Sequence, residues 1–389
     1  MVPGLTRINI PSSIIVGSGA SLEVATYVKL LGATRVLLVT DRFLASNGVV
    51  DRIVECLQSN GVSVAIYADV YPDPTLQNVY DGLRLYSESN AEAIVALGGG
   101  SPLDTAKAIS ILTTNPLPLS QYMGYHKIPR PGVPLIAIPT TAGTGSEVTK
   151  VTVITDTDNS IKMMLFDHHL LPSVALVDYE LTMSMPQPLT AHVGVDTLTH
   201  AIEAYVSRKA NLLTDPIALS CIQLVSKFLV QAWTVPDDHP ARAAMAIAAT
   251  QGGMAFSNSS VCLVHGMSRP IGAFFHVPHG LSNAVLLPTI TRFSIPGALP
   301  RYAMISRMMG YATNDHDDET AAKALVDGLE QLNQSLNIPR LRDCVRVDRL
   351  QFADSVQKMA ADALASGSPQ NNPIVPTAEQ IVELYWMAW

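Results

Sequence analysis

The change of periodicity along the chain limits most strongly what it can fold into. In the first half, short runs rich in Val, Ile and Leu at 35–41, 62–67, 91–97 and 135–139 read as strands. Helical patterns at 49–57, 79–87 and 104–112 separate them, and 6–17 reads as extended. Strand and helix alternating at this spacing form parallel βαβ units, with helices on both faces of one sheet. Beyond Pro186-Gln187-Pro188 the strand signal vanishes. Helical patterns fill 190–206, 214–232, 240–258, 280–292, 298–310, 317–335, 348–364 and 377–388, with Gly and Pro at the joints and a loop at 366–377. The reading is an α/β domain with a parallel, Rossmann-like sheet over 1–185, followed by an all-α domain over 186–389.

Composition allows that architecture and narrows the partners. Hydrophobic residues make up 48% of the 389 and charged ones 15%, enough for large cores. The net charge of -8, with no Lys/Arg run, argues against nucleic acid as a partner. The first fifteen residues lack the basic-then-apolar pattern of a secretory leader, and no uninterrupted apolar run reaches the ~20 residues of a membrane span. The 4 cysteines, Cys56, Cys221, Cys262 and Cys344, are far apart and form no CxxC pair. They read as small buried hydrophobes in a reduced, cytoplasmic protein.

Two turns at strand ends carry the first chemistry. Gly98-Gly99-Gly100-Ser101-Pro102 follows a strand and opens a helix. Glycine lets the backbone approach phosphate oxygens, and amides at a helix start favour negative charge. Pro139-Thr140-Thr141-Ala142-Gly143-Thr144-Gly145-Ser146-Glu147 is a second turn rich in glycine and hydroxyls. Thr140, Thr141, Thr144 and Ser146 offer donors to phosphate or nicotinamide. Asp41 ends its strand where a carboxylate meets adenosine ribose hydroxyls, which favours NAD over NADP; Arg42 beside it softens that preference. The usual G-x-G-x-x-G spacing is absent. Each turn alone also fits an ordinary βα connection, and Asp41 alone fits a helix cap.

The helical half supplies a ligand set. Asp196 and His200 stand four apart, on one face of a helix. His265 and His279 lie beside Gly266 and Gly280, at what read as loop–helix joints. One carboxylate and three imidazoles suit Fe(II), Zn(II), Mn(II) or Co(II). Singly, each of these residues is more often structural; the joint pattern points to a metal.

Together these segments resemble the iron-containing alcohol dehydrogenase family, whose fold is shared with glycerol dehydrogenase and dehydroquinate synthase. The matching residues are 98–101 with Asp104 and Lys107, 139–147, Lys162, 178–182, 194–203 and 265–280, down to Asn372-Pro373 and Pro376-Thr377. The resemblance implies metal ligands Asp196, His200, His265 and His279. It implies NAD contacts from Asp41, Gly98, Gly99, Gly100, Ser101, Pro102, Thr140, Thr141, Thr144 and Lys162, with Thr182 near the nicotinamide. It also implies a homodimer or larger homo-oligomer. Many members carry a second His four residues after the first motif His; here that position is Arg269, which cannot act as a base. Proton relay then falls to ribose hydroxyls, water or His276. Arg269 is either an anchor for an anionic substrate group or a structural salt bridge at the domain interface.

The expected function is reversible hydride transfer between NAD(H) and a small alcohol or aldehyde in a cleft between the domains, with acidic aldehydes and semialdehydes among the candidates. The alternatives are a non-redox lyase of the dehydroquinate synthase type, a maleylacetate-type reductase, and a non-catalytic scaffold or NAD-dependent sensor.

Overall fold

The computed structural model describes residues 5–159, 161–345 and 348–389, so the first four residues of the N-terminal stretch lie outside the described residues. The chain divides into two compact units. One is Ile8–Ser184; the other is Met185–Trp389, together with residues 5–7.

The first unit is built on a six-stranded, wholly parallel sheet of β1 (Ser13–Val16), β2 (Arg35–Asp41), β3 (Ser63–Val70), β4 (Ala93–Gly98), β6 (Leu135–Pro139) and β9 (Val174–Val177). Their order is β1-β9-β6-β4-β2-β3. Successive side chains of a strand face opposite ways, and here both faces are covered. Leu37, Val39, Ile94 and Ala96 meet Leu103, Ala106 and Ile109 of α5 (Gly100–Leu112) and Val79 of α4 (Leu76–Glu88). Their alternates Val36, Leu38, Val95 and Leu97 meet Val28 of α1 (Val24–Leu30), Leu44 of α2 (Arg42–Ser46) and Ile53 and Leu57 of α3 (Val49–Ser59). Burial on both sides explains why these strands read as continuous apolar runs.

The strand order fixes where a ligand can sit. From β2 the chain steps outward to β3, then crosses back to place β4 on the other side of β2. The direction of winding therefore reverses between β2 and β4, and such a reversal opens a crevice at the carboxyl ends of the two strands. Asp41 ends β2 and Gly98 ends β4.

A second sheet is absent from the periodicity reading. β7 (Val151–Asp156) and β8 (Ile161–Phe166) pair antiparallel, and β5 (Gly124–Tyr125) adds parallel to β8. Burial alternates along β7, as a half-covered strand requires. Asp156 closes the turn by accepting from the amides of Asp158 and Asn159.

The described residues of the second unit form helices and turns only: α6 (Gln187–Val206), α7 (Asp215–Thr234), α8 (His239–Asn258), α9 (Leu263–Phe275), α10 (His279–Ser294), α11 (Leu299–Met308), α12 (Asp318–Ser335), α13 (Leu341–Cys344), α14 (Arg349–Ala365) and α15 (Ala378–Ala388). α9 and α13 are helices that the periodicity does not announce. Gly266, Pro270 and Gly272 look like breakers in α9. Pro270 is nonetheless accommodated in its interior. α6 is the centre of this unit: residues 194–206 are buried without exception, and it packs on α7, α8 and α10. A helix apolar around most of its circumference is a core helix.

Among the described residues α7 alone is long and apolar enough to cross a membrane by length and composition. It packs on α6 and α8 through Ala218, Cys221, Ile222, Val225 and Leu229. Cys221 and Cys262 are buried as expected, whereas Cys56 and Cys344 are only partly so.

Candidate metal centre and cofactor turns

α6 presents Asp196, His200 and Glu203 within two turns on one face, because residues three and four apart are neighbours on a helix. α9 brings His265 in its first turn, and His279 is the first residue of α10. The glycine after His279 has a reason to be there: a Cβ on Gly280 would lie 2.7 Å from the carbonyl oxygen of His192. Only glycine lets the start of α10 come that close to α6.

Asp196, His265 and His279 each offer a ligand atom within 4.8 Å of the other two. His265 Nε2 lies 3.5 Å from Asp196 Oδ1 and His200 Nε2 lies 3.8 Å from it. The His200 ring is held between Phe256, 4.4 Å away, and His265, 4.6 Å away. Asp196, His200 and His265 are buried; His279 is exposed.

Glu203 sets the tautomer. Its Oε2 is 2.6 Å from His265 Nδ1 and accepts from the amide of Cys262 at 2.8 Å, while Oε1 accepts from the amide of Val264 at 2.6 Å. A carboxylate is acceptor-only, so Nδ1 carries the proton and Nε2 turns its lone pair toward Asp196. The same carboxylate caps the amino end of α9, where unpaired amides and the helix dipole favour negative charge. Glu203 therefore does two jobs from the helix that carries Asp196 and His200.

The residues fit a divalent cation. The Nδ2 of Asn283, on α10, lies 2.6 Å from Asp196 Oδ1 and 3.2 Å from Nε2 of both His265 and His279. An amide NH2 has two protons and faces three acceptors there, while the buried Oδ1 of the same side chain has no hydrogen-bond partner. Three acceptors converging on one point, around a carboxylate in an apolar interior, is an arrangement that a cation satisfies better than an amide. Burial opposes ionisation of Asp196, yet His200 and His279, with His265, hold its carboxyl well below the usual carboxylate range. Burial likewise opposes charge on His265, but Glu203 and Asp196 on either side favour it, so a cation between Nε2 and Asp196 would take the place of a second ring proton.

In the α/β unit the two turns lie at the carboxyl ends of neighbouring strands, with Gly98 in register with Pro139. Gly98 has φ +154, and a Cβ there would be 2.5 Å from the ring of Pro102. The backbone is thereby free to fold over the start of α5, which begins with Gly100 and holds Ser101 and Pro102 in its first turn. Thr141 and Thr144 pack against Gly99 and Gly100. The Thr140 amide donates to the Gly98 carbonyl at 2.9 Å. Asp41 caps α2 through Leu44 N at 2.9 Å, so both of its expected roles are open to it.

Several expected contacts have internal partners. Ser146 Oγ donates to Asp104 Oδ1 at 2.8 Å and accepts from Lys107 Nζ at 2.8 Å. Lys107 is wholly buried and also donates to Thr149 Oγ1 and the Val151 carbonyl. Burial lowers its ammonium to about 8, against the opposing pull of Asp104 and Glu147. This network braces α5 against the second turn and the start of β7. Lys162, on β8, pairs with Asp73 at 2.7 Å. Thr182 Oγ1 donates to the Tyr179 carbonyl at 2.7 Å in the 3-10 turn after β9.

Arg269 Nη1 donates to Ser368 Oγ at 2.9 Å, a neutral partner within the helical unit. His276 ends α9 in the left-handed conformation, φ 55, with an exposed side chain. Glu203 and Asn283 are the residues that sequence reasoning missed. Glu203 was within reach, since it continues the Asp196–His200 face by three residues. Nothing local in the sequence marks Asn283 beyond its place four after His279.

The chain is similar to known proteins over almost its whole length. The family model "Iron-containing alcohol dehydrogenase" matches residues 11–179, and "Fe-containing alcohol dehydrogenase family, C-terminal" matches 190–389. Lactaldehyde reductase of Escherichia coli (strain K12) is 40% identical, over 96% of this chain and 97% of that protein. NAD-dependent methanol dehydrogenase of Bacillus methanolicus is 36% identical, over 98% of this chain and 99% of that protein. The crystal structure of a 1,3-propanediol oxidoreductase superposes with a TM-score of 0.96 at 35% identity, covering 99% of this chain and 100% of that one. The chain belongs to the iron-containing alcohol dehydrogenases, a family of oxidoreductases.

Proposed function

We propose that this protein interconverts a small alcohol and its aldehyde with NAD(H), using a divalent metal held by Asp196, His200, His265 and His279. The observation that carries the reading is the convergence of Asp196, His265 and His279 on one point with Glu203 locking the tautomer of His265. When bound, the ion supplies Lewis acidity toward the substrate oxygen and the nicotinamide supplies or accepts the hydride.

The chain's own residues orient and exclude. Glu203 keeps a proton on His265 Nδ1 and so keeps Nε2 available. The glycine turn at 98–100 and the hydroxyls of Thr140, Thr141 and Thr144 receive the pyrophosphate and nicotinamide ends. Asp41 takes the ribose hydroxyls, which favours NAD over NADP. Lys162 reaches a ribose hydroxyl on leaving Asp73, and Thr182 lies toward the nicotinamide. Ser146 acts through Lys107 and Asp104 as a brace of that turn. His276, exposed three residues before His279, exchanges the proton with solvent. Fe(II) is the ion proposed, with Zn(II), Mn(II) or Co(II) as substitutes that the donor set tolerates. The relatives named above act on short neutral alcohols and aldehydes, which supports the same class here. Acidic aldehydes are the second candidates, and they depend on Arg269 serving the substrate as well as Ser368. We further propose a cytoplasmic homo-oligomer, at least a dimer, to be read by light scattering of the purified enzyme.

The test is a panel of neutral and acidic aldehydes with NADH, run before and after chelation and after return of Fe(II) or Zn(II). Turnover that disappears with the metal and returns with it is expected. Full activity of metal-free protein, or aldehyde-dependent chemistry without change in NADH, overturns the reading.

A further inference from the structure

We propose a second metal site in the α/β unit, formed by His126, Asp167 and His168, that clips the segment leading into β6 onto the small sheet. The three side chains offer ligand atoms that all lie within 4.8 Å of one another. His168 Nδ1 is 3.0 Å from Asp167 Oδ1. Two ligands each about 2.1 Å from an ion stand about 3 Å apart at right angles and about 3.4 Å apart in a tetrahedron, so this edge is close to the spacing of a coordinated pair.

The backbone brings the third ligand in. β5 is only two residues long, pairing Gly124 with Leu165 and Tyr125 with Phe166. His126 follows at once, its amide donating to the Phe166 carbonyl at 2.9 Å. There the chain takes the left-handed conformation, φ 55, which a histidine adopts only at some cost. The ring stands perpendicular to that of Phe166, centroids 6.1 Å apart, with its ligand atom within reach of those of Asp167 and His168.

Asp167 is the anionic member of the three. Asp167 is 2% exposed. Its Oδ1 accepts from His169 N at 3.0 Å and its Oδ2 from Ile128 N at 3.2 Å. Each carboxylate oxygen can accept more than one bond, so both amide contacts survive coordination. His126 and His168 are exposed, which gives an ion a path from solvent. Two imidazoles and one carboxylate suit Zn(II), Co(II), Ni(II) or Cu(II), with solvent completing the shell. His169, its ring tilted by 37° with its centroid 3.9 Å from that of His168, packs against the latter ring.

The site shares no residue with the cluster on α6, α9 and α10. An ion here ties His126, on the long connection between α5 and β6, to the end of β8. Its binding energy therefore adds to the stability of the small sheet, because it binds the folded arrangement and not the open one.

The probe is zinc added to the purified enzyme in whatever metal state it is isolated. Zinc bound per chain is counted by equilibrium dialysis and elemental analysis for wild type, His126→Asn and His168→Gln. Asparagine tolerates the left-handed backbone, so the first variant removes a ligand without disturbing the turn. The readout is the difference between proteins, which does not depend on what the helical cluster holds. We expect each variant to bind one zinc fewer per chain than wild type, and to lose the zinc-dependent rise in unfolding temperature that wild type shows. Replacement of the exposed His239 should change neither. Equal zinc counts in all proteins, or a wild-type temperature rise that persists in both variants, overturns the site.

Discussion

Glu203 Oε2 stands 2.6 Å from His265 Nδ1 while the amides of Cys262 and Val264 hold the same carboxylate from the other side. One side chain thus joins the cap of α9 to the tautomer of a proposed metal ligand. Glu203→Gln keeps the shape but offers one acceptor oxygen where three donors now point. Metal affinity should fall about 10–100-fold, the usual cost of losing the partner of a ligating histidine. Chelator competition measures it directly. Affinity equal to wild type in both Glu203→Gln and Glu203→Ala would show that His265 needs no such lock.

Arg269 and Ser368 make a second pair with a definite expectation. Arg269 Nη1 donates to Ser368 Oγ at 2.9 Å, joining α9 to the loop ahead of Asn371. A hydrogen bond from a charged group contributes about 1.5–3 kcal/mol. Arg269→Ala should therefore lower the unfolding temperature, and Ser368→Ala should reproduce part of the loss. KM for acidic and neutral aldehydes should change by the same factor. A selective rise in KM for the acidic substrate, with stability unchanged, would assign Arg269 to the substrate instead.

How far the sequence carries is clearest around these residues. Asp196 and His200 are legible because helix geometry is local: residues four apart on one helix share a face. His265 and Glu203 are separated by 62 positions, and no periodicity reports which carboxylate a distant histidine will meet. α9 was hidden because Gly266, Pro270 and Gly272 carry the composition of a loop, while tertiary packing keeps them helical. The main sheet was readable from its apolar runs. β7 and β8 were missed because Val151-Thr152-Val153-Ile154-Thr155 does not alternate apolar and polar: the buried face carries Thr152, Ile154 and Asp156, and the half-buried one Val151 and Val153. Lys162 illustrates the remaining gap: its motif is plain, but its partner Asp73 lies 89 positions away.

Lys107 offers a test with a pH axis. It is wholly buried and donates to Ser146, Thr149 and Val151, with Asp104 at 4.0 Å. Lys107→Met keeps the stem and removes the charge, leaving Asp104 without its cation. Breaking a buried pair this way costs about 3–5 kcal/mol. Burial lowers the ammonium from 10.5 to about 8, so between those values the unfolded chain binds more protons than the folded one. Stability from this residue must then rise as pH climbs from about 8 to 10.5. Denaturant titrations at the two ends should show that increment in wild type and not in Lys107→Met. A variant with the same stability and the same slope would remove Lys107 from the brace.

Arg42 and Asp69 bear on the choice of coenzyme. Arg42 follows Asp41, the carboxylate that ends β2, in the place where a guanidinium accommodates the 2′-phosphate of NADP. Here its Nε donates to Asp69 Oδ1 at 2.7 Å, and its guanidinium lies 5.6 Å from the Tyr71 ring centroid. One base is therefore flanked by two acids, and the local balance disfavours a further anion. Asp69→Asn removes the competitor without changing size. We expect it to raise kcat/KM for NADPH several-fold while that for NADH stays near wild type. Both partners are exposed, so the gain should shrink as ionic strength increases. Adding Arg42→Leu to Asp69→Asn should abolish it, since the gain runs through the guanidinium. An NADPH-to-NADH ratio unmoved by Asp69→Asn, or a gain that survives loss of Arg42, would show that this pair plays no part in coenzyme choice.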